Sequence, residues 1–456
     1  MTHLGWRVHY GHIPEKDLQP PRRSVLEHRS HLRWCILWEM SAPLLSSAIV
    51  YLVLSTPVLL FPDVLPETPW RTEVIAAIAV VGMAIGVVLV REWKAACAAL
   101  VVFLLSLVVS WAIAWKPWDE VGSLRHFSGV GLGVLAMGVT AQWARTSARL
   151  MHAAQIVVLG AVTVLVIGWL GAAVNPNKLT GADTATGAPD LESPTPVLSL
   201  RLPGLSPDGL VNSNALGGTA LLVLPLCVGV YAAGRLLAHR RGPTLLLAGT
   251  ASTLAAVVVA LSFSRSAWLA SGLTALVFLM RRFRGRRWLP ALFAAVLVAG
   301  LGGAWVIRAA SPVAVERAVV AVEETLRWRV MIWQDGLDRV RNAPWLGSGI
   351  NRVHSGPRTY STFRIVHFHN VALQVAVDAG LVGLTGYALF FGWIVLAGDR
   401  TARRPGEAGH VAAGASLSLV AVHLFGIGDT IALGAKVGLF QWLSAGLILA
   451  ATRLDR

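Results

Sequence analysis

Apolar segments of membrane-spanning length recur along the chain, and short charged clusters separate them. A spanning helix needs roughly 20 mostly apolar residues, and about twelve segments approach that length. They lie near 36–61, 74–90, 95–114, 127–143, 153–173, 215–237, 243–263, 266–280, 288–307, 369–397, 411–427 and 431–451. Lipid offers the backbone no hydrogen-bond partner, so each segment must pair its own N–H and C=O groups as a helix. The sequence therefore predicts an all-α, polytopic transmembrane helical bundle.

The charged residues indicate the orientation of this bundle. Only 14% of the residues are charged, against 55% hydrophobic, whereas about a quarter are charged in a soluble domain. Basic residues concentrate in alternate connections, near 22–33, 91–94, 145–149, 235–241, 281–287 and 400–404. The positive-inside rule then predicts that both termini are cytoplasmic. The net charge of +15 faces lipid headgroups, so no nucleic-acid partner is expected.

The predicted organisation has five parts. A cytoplasmic tail covers 1–33, and a transmembrane bundle covers 34–307, with an outer loop at 174–214. A large periplasmic loop spans 308–368, C-terminal transmembrane helices span 369–451, and a cytoplasmic tail ends the chain at 452–456. Apolar residues recur at helical spacing in the first part of the 308–368 loop, which predicts an amphipathic helix or helix pair there. Pro344 is expected to stop it.

Arginines mark the predicted outer side. The 308–368 loop is basic, although translocated loops usually are not. It is either a solvated helix face or a site for an anionic ligand such as diphosphate, which guanidinium groups bind well. Arg265 lies in the short turn Ser262–Ser266 between two predicted spans. It is either an interface arginine or a ligand contact, because charges at membrane depth usually mark function.

Two histidines precede the span that starts near residue 369. His367 and His369 flank Phe368, and an imidazole is the side chain best suited to accept a proton near neutral pH. A lone histidine is more often structural, whereas a pair after an arginine-rich loop points to chemistry. No acidic or cysteine residue lies nearby at metal-ligand spacing, so no metal is expected. His410 and His423 are candidates for packing or loop roles, and His423 and Asp429, near the last outer turn, are also candidates to line the same cavity.

Four stretches together resemble the O-antigen ligase and O-antigen polymerase superfamily of polytopic glycosyltransferases. They are Arg201–Gly217, Ser264–Trp268, Arg329–Gly349 and His369–Leu384. The first stretch carries Arg-x-x-Gly followed by Asn-Ala, and the second carries Ser-Arg-Ser. The third carries Arg-x-x-x-Trp followed by Pro-x-x-Gly-x-Gly. The fourth carries His-Asn-x-x-Leu followed by acid-x-Gly-Leu-x-Gly-Leu. Asp378 is the acid of the last motif, where glutamate is usual in the family. The resemblance covers residues 200–450.

The resemblance implies a metal-independent enzyme without a cofactor in the bacterial inner membrane, with its active site on the outer face. It implies transfer of a glycan from a polyprenyl-diphosphate carrier to the hydroxyl of a lipid, glycan or protein acceptor. The diphosphate contacts are then expected at Arg201, Arg265 and Arg329, and the general base at His369. Four further residues are expected to support the site, namely Asn214, Arg327, His367 and Asn370.

Three alternatives remain open on the sequence. An O-antigen or exopolysaccharide polymerase and a protein O-oligosaccharyltransferase belong to the same superfamily as the ligase. A transporter of lipid-linked glycan would also need an arginine-lined cavity. Transporters often show repeated halves, and no internal repeat is visible, which favours the enzyme.

Overall fold

The chain is helical, as the apolar segments predicted. The computed structural model describes residues 45–59, 70–114, 121–173, 211–237, 241–262, 264–283, 312–350, 367–431 and 434–454. Residues 1–47 form a unit of their own, of which only the last three are described, and Ala48–Arg456 form the second unit. Within the described ranges the extended structure is a two-residue parallel bridge between β1 (Ala172–Ala173) and β2 (Val211–Asn212).

Twelve α-helices occupy the described residues. They are α1 (Leu45–Leu59), α2 (Arg71–Leu89), α3 (Lys94–Ile113), α4 (Val121–Trp143), α5 (Ser147–Leu170), α6 (Ser213–Gly234), α7 (Arg241–Leu261), α8 (Arg265–Arg282), α9 (Pro312–Asn342), α10 (Val371–Thr401), α11 (Glu407–Phe425) and α12 (Leu439–Leu454). A short 3₁₀ turn, Lys436–Gly438, leads into α12.

Eight of these helices are long and apolar enough to cross a membrane: α2, α3, α5, α6, α7, α10, α11 and α12 with its preceding turn. The chain is therefore a multi-pass membrane protein. About twelve spans were predicted, and eight helices of the described residues meet the length and composition of a span. Two predicted spans are helices that do not belong to these eight. The span at 127–143 is α4, which carries Arg125 and His126 in its first two turns, and the span at 266–280 is α8, which carries arginines at both ends. The α1 helix is shorter, and the predicted span at 288–307 lies outside the described residues.

The second unit is a bundle in which sequence neighbours and distant helices pack together. The α2 helix packs on α4, α3 on α10, α6 on both α7 and α11, and α12 on α4 and α11. Leucine, valine, alanine and phenylalanine side chains from nearly all of these helices form one continuous buried core. Close helix approach depends on glycine at several crossings. A Cβ added to Gly386 on α10, for example, would lie 2.6 Å from the backbone nitrogen of Phe103 on α3.

The two ends of the bundle differ in charge. One end of the bundle gathers the C-termini of six helices and the N-termini of four. The C-termini are those of α2, α4, α6, α8, α10 and α12, and the N-termini are those of α3, α5, α7 and α11. Arg453 at the end of α12 pairs with Glu92 and donates to the carbonyl of Ala141 at 3.0 Å. Arg281 at the end of α8 pairs with Asp399 near the end of α10 at 2.9 Å. This end, which we call the basic end, gathers the arginines of the alternate connections, as the sequence predicted.

A sharp break in α10 lets a loop enter the opposite end of the bundle. Gly380 has φ 70° and ψ −177° inside α10. The break exposes the N–H of Leu381, which donates to the carbonyl of Pro344 at 2.8 Å. A Cβ at Gly380 would collide with the carbonyl of Trp345, and Gly347, at φ 75°, faces the carbonyl of Val377. The glycine motifs at 344–349 and 380–384 therefore form one interlocked turn.

The described part of the long polar loop, residues 312–350, contains one helix. The α9 helix is continuous over 31 residues and ends two residues before Pro344, so the prediction of a helical first part is confirmed. Ile332 and Val340 pack against the buried Phe368 and Val377. This contact holds α9 against α10 at the end opposite the basic end.

Candidate functional site

His369 lies at the start of α10, at the end of the bundle opposite the basic end. Asn370 caps α10, because its side-chain oxygen accepts the N–H of Leu373 at 2.9 Å. The next residue ties this start to the end of α11, since the N–H of Val371 donates to the carbonyl of Gly426 at 2.7 Å. His369 itself has φ 50°, in the left-handed region that few residues other than glycine adopt.

The imidazole of His369 forms a pair with a buried carboxylate. Its Nδ1 lies 3.0 Å from Oδ1 of Asp429, which follows α11. The Asp429 side chain is 4% exposed, whereas that of His369 is 31% exposed. A carboxylate only accepts hydrogen bonds, so Nδ1 of His369 carries a hydrogen, and the lone pair of a neutral imidazole is then on Nε2. The pair thus leaves a basic nitrogen on the accessible side of the ring.

The charge of Asp429 is maintained by its neighbours. Burial alone acts to raise the pKa of Asp429, but the hydrogen bond with His369, the charges of His369 and His367 and the N–H of Thr430 outweigh it, so the pKa lies below its usual value. The Thr430 N–H donates to Oδ1 at 2.8 Å. Among the described residues, Oδ2 of Asp429 and the hydroxyl of Thr430 have no hydrogen-bond partner. Such buried atoms are usually satisfied by water or a ligand.

His367 supports His369 rather than duplicating it. Its Nδ1 accepts the backbone N–H of His369 at 3.2 Å, and the two rings lie edge to face with centroids 4.0 Å apart. Burial first, and then the positive charge of His369, lower the pKa of His367 to about 4, although Asp429 acts in the opposite direction. His367 is therefore neutral at physiological pH and can keep accepting that N–H.

The peptide between the two histidines is held from both sides. The N–H of Phe368 donates to the side-chain oxygen of Gln374 at 3.1 Å, and Gln374 donates in turn to Asp378 at 2.9 Å. The carbonyl of Phe368 accepts the indole N–H of Trp333 on α9 at 3.0 Å. These bonds fix the backbone on which His369 adopts its unusual φ. Asp378, the acid that replaces the family's glutamate, is thus part of the support for the histidine segment.

Of the three predicted arginines, Arg329 lies near the Asp429 turn, and Arg265 is near enough to Arg329 for their charges to interact. The Ser264 hydroxyl caps α8, so Arg265 is its first residue rather than part of a free turn. Arg329 reaches across from α9, with Nη2 3.4 Å from the hydroxyl of Ser266. Burial and the charge of Arg329 lower the pKa of Arg265. Arg329 also lies close to Gly428, next to Asp429.

The other predicted residues fall in different places. Arg201 lies outside the described residues. Arg327 is exposed on α9, and residues two apart on a helix do not share a face, so the structure separates it from Arg329. Asn214 is half-buried in the first turn of α6, whose Gly217 packs against Ser262 and Ala267. Asn370 donates to the carbonyl of Ile427 at 3.2 Å and so braces the Asp429 turn.

Sequence reasoning ranked Asp429 too low. It lies 60 residues from His369, and the signal that could have raised its rank is an acid in an otherwise apolar outer turn, Gly426–Thr430. His423 has the packing role that the sequence indicated: it lies inside α11, where its ring bonds to the hydroxyl of Tyr387 at 2.8 Å and to the carbonyl of Leu419 at 2.6 Å. His126 on α4 was missed altogether, although its charge acts on His367.

The expectation of no metal-ligand set needs correction. His367, His369 and Asp429 bring ligand atoms within 4.8 Å of one another, a grouping that the sequence spacing hides. These three residues could hold a metal ion. However, Nδ1 of His367 and Oδ1 of Asp429 already accept hydrogen bonds, and the nearby guanidinium of Arg329 repels a cation. Metal independence therefore stays a prediction.

The geometry joins a base to a pair of fixed positive charges. A histidine oriented by a carboxylate is the usual arrangement for removing a proton from a hydroxyl. Guanidinium groups stabilise charge that develops on phosphate oxygens; Arg329 is half-buried and Arg265 is exposed. The arrangement therefore suits a reaction in which a hydroxyl displaces an anionic phosphate leaving group.

Comparison with known proteins gives one family match. The family described as O-antigen ligase matches residues 250–388, a segment that contains Arg265, Arg329 and His369. The match supports the resemblance to the O-antigen ligase superfamily that the motifs carry. No curated protein matches the chain.

Proposed function

From its O-antigen ligase domain at residues 250–388, we propose that this multi-pass membrane protein is an O-antigen-ligase-like glycosyltransferase. It moves a glycan from a polyprenyl-diphosphate carrier to the hydroxyl of an acceptor. The observation that carries this proposal is the His369–Asp429 pair, 3.0 Å apart, with Arg329 close to the Asp429 turn and near enough to Arg265 for the two charges to interact.

The proposed reaction uses each part of the site. Nε2 of His369 takes the proton of the acceptor hydroxyl, and Asp429 stabilises the imidazolium that forms. The acceptor oxygen attacks the anomeric carbon of the glycan, and the bond from that carbon to the diphosphate oxygen breaks. The electron pair of that bond leaves with the polyprenyl diphosphate, and Arg265 and Arg329 stabilise the added charge. Arg201 remains a proposed third contact.

The location follows from charge. The site lies at the end of the bundle opposite the basic end, and the positive-inside rule supports an outer-face location for it. A bacterial inner membrane supplies both the lipid-linked donor and an outer face. The acceptor is a lipid, a glycan or a protein, and the products of the reaction distinguish among them.

The test is reconstituted transfer with purified full-length protein. Labelled polyprenyl-diphosphate glycan and candidate acceptors are supplied, and both the glycosylated product and the released diphosphate lipid are measured. His369→Asn should lower turnover by roughly 10²–10⁴-fold, the usual share of general-base catalysis. Asparagine tolerates the left-handed backbone, so the fold is preserved. Arg265→Lys should retain only part of the activity, since an ammonium lacks the planar fork.

The products separate the candidate functions. One glycan added per acceptor identifies a ligase, growth of the lipid-linked glycan identifies a polymerase, and a glycosylated protein identifies an oligosaccharyltransferase. Movement of the lipid-linked glycan across the bilayer without covalent transfer would identify a transporter. Wild-type turnover in His369→Asn would contradict the proposed base, and loss of activity with EDTA would contradict metal independence.

A further inference from the structure

A second arginine cluster surrounds a cavity at the basic end. The cavity lies between the last turns of α8 and α10 and the first half of α11, and it measures about 160 Å³. Its polar lining residues are Arg281, Arg282, Asp399 and Arg403. We call it the arginine cleft, and no step of the proposed transfer reaction uses it.

The charges of the cleft do not balance. Asp399 pairs with Arg281 at 2.9 Å and accepts the hydroxyl of Ser416 at 2.8 Å. Among the lining residues that the structure describes, Asp399 is the one acid, so three arginines and one aspartate leave a formal charge of +2. Arg282 and Arg403 are exposed at the rim. The Arg281–Asp399 ion pair therefore lies at the floor of the cleft, and the exposed guanidinium groups of Arg282 and Arg403 lie at its rim.

The position of the cleft identifies the kind of surface that it faces. Arg265 and Arg281 lie 16 residues apart on α8, which at 1.5 Å per residue is roughly 24 Å along the helix. The hydrocarbon core of a bilayer is about 30 Å thick. The cleft therefore lies near the opposite interface from the His369 site. Anionic lipids are concentrated in the cytoplasmic leaflet.

The walls add an apolar component. Phe278, which is 47% exposed, and Leu417 line the same cavity as the arginines. A free phosphate ion would use only the guanidinium groups. A phospholipid would place its phosphate on the rim arginines and the start of its acyl chains beside Phe278. The combination fits an amphiphile better than a simple anion.

We propose that the arginine cleft binds the phosphate of an anionic phospholipid headgroup at the membrane face opposite the transfer site. The guanidinium forks of Arg282 and Arg403 hold the phosphate oxygens. The Arg281–Asp399 pair keeps the ends of α8 and α10 at the correct separation. The bound lipid thereby links the two helices that position Arg265 and His369 at their other ends.

The experiment compares lipid binding to the full-length protein in a neutral detergent. Phosphatidylglycerol and zwitterionic phosphatidylcholine are titrated separately, and binding is read by native mass spectrometry and by the shift in Tm. The test variant is Arg282→Gln with Arg403→Gln, which leaves the Arg281–Asp399 pair in place. The matched control is Arg91→Gln with Arg149→Gln, which removes two exposed arginines of the same end that do not line the cleft.

Wild type and control should bind phosphatidylglycerol about tenfold or more tightly than the test variant, since two charge-assisted contacts are lost. Inorganic phosphate is added in a separate arm. Displacement of the lipid by phosphate shows that the phosphate group alone is recognised, and lack of displacement shows that the whole headgroup and chains are needed. Equal binding of phosphatidylglycerol by test and control variants would overturn the proposal. Equally tight binding of phosphatidylcholine by wild type would overturn it too.

Discussion

His369 holds a backbone conformation that its surroundings must enforce. Histidine is one of the few residues enriched at positive φ, yet such a residue is uncommon and is retained only where neighbours fix it. Here the neighbours are the N–H contact to His367 and the two hydrogen bonds on the Phe368 peptide. The conformation turns the ring towards Asp429. The strain is therefore located at the residue on which the proposed chemistry depends.

Asp429→Asn tests whether the carboxylate acts through His369. The amide keeps the size of the side chain but removes the charge that stabilises an imidazolium, and it can present an N–H instead of an acceptor to Nδ1. Turnover should fall by up to the general-base share of roughly 10²–10⁴-fold, with the KM for the lipid-linked donor little changed. Steady-state kinetics measures both. The control is His423→Gln, in a histidine whose bonds go to Tyr387 and Leu419 and not to the His369–Asp429 pair. A Tm match with unchanged turnover in Asp429→Asn would refute the pairing.

His367 predicts a pH dependence of stability. Its pKa is about 4 in the folded protein and about 6.5 in an unfolded chain. As the pH falls through this interval the unfolded state takes up a proton that the folded state does not, so the free energy of unfolding decreases. Asp429 contributes only below this interval, because its pKa lies under its usual value.

His367→Asn should remove this dependence while preserving the acceptor for the His369 N–H. The measurement is Tm in detergent at pH 7.5 and at pH 5. Wild type should lose more Tm on acidification than the variant does. The two proteins should be similar at pH 7.5, where the imidazole is neutral in both states. An identical loss in both proteins would mean that His367 is not buried as a neutral group.

At the scale of elements, an indole hydrogen bond links α9 to the histidine segment that precedes α10. Trp333 is the α9 side chain that donates to the carbonyl of Phe368. Arg329 lies one turn earlier on the same helix, so a single rotation of α9 sets both the guanidinium and the histidine backbone. The turn built from Gly347 and Gly380 holds the end of α9 against the break in α10. The element that carries the arginine thus also positions the base.

Trp333→Phe should loosen this link without removing a reacting group. The ring still packs, but the Phe368 carbonyl loses its donor, and an unsatisfied buried acceptor costs about 1–3 kcal/mol. If the lost hydrogen bond destabilises the backbone conformation in which His369 reacts, kcat should fall by about tenfold, and KM should change little. Trp328→Phe, in a more exposed tryptophan of the same helix, is the matched control. A change confined to KM would show that Trp333 binds substrate instead.

At the scale of the whole molecule, the two ends of the bundle have separate tasks. The basic end carries the inter-helix ion pairs and the arginine cleft, and the other end carries the proposed transfer site. Helices α8 and α10 run between them, with Arg265 and His369 at one end and Arg281 and Asp399 at the other. This polarity agrees with the positive-inside rule if the proposed transfer site faces outward.

The proposed topology is tested with reporter fusions. Fusions after residues 240, 285 and 404 should report the cytoplasm, because they follow arginine-rich connections at the basic end. Fusions near 190 and 340 should report the outer side. A periplasmic reporter with phosphatase activity and a cytoplasmic fluorescent reporter give opposite signals at each position. A cytoplasmic signal at 340 would remove Arg329 from the proposed outer site.

The sequence by itself determined the helical membrane class, the alternation of basic connections, and Arg265, Arg329 and His369 as candidates. Hydropathy and short motifs are local properties, so they can be read along the chain. Only the tertiary structure decided which candidates meet. It paired His369 with Asp429 across 60 residues, turned Arg327 away from Arg329, and withdrew His423 into α11. These outcomes depend on which helices pack together and how each is rotated, and no periodicity within a single segment encodes either.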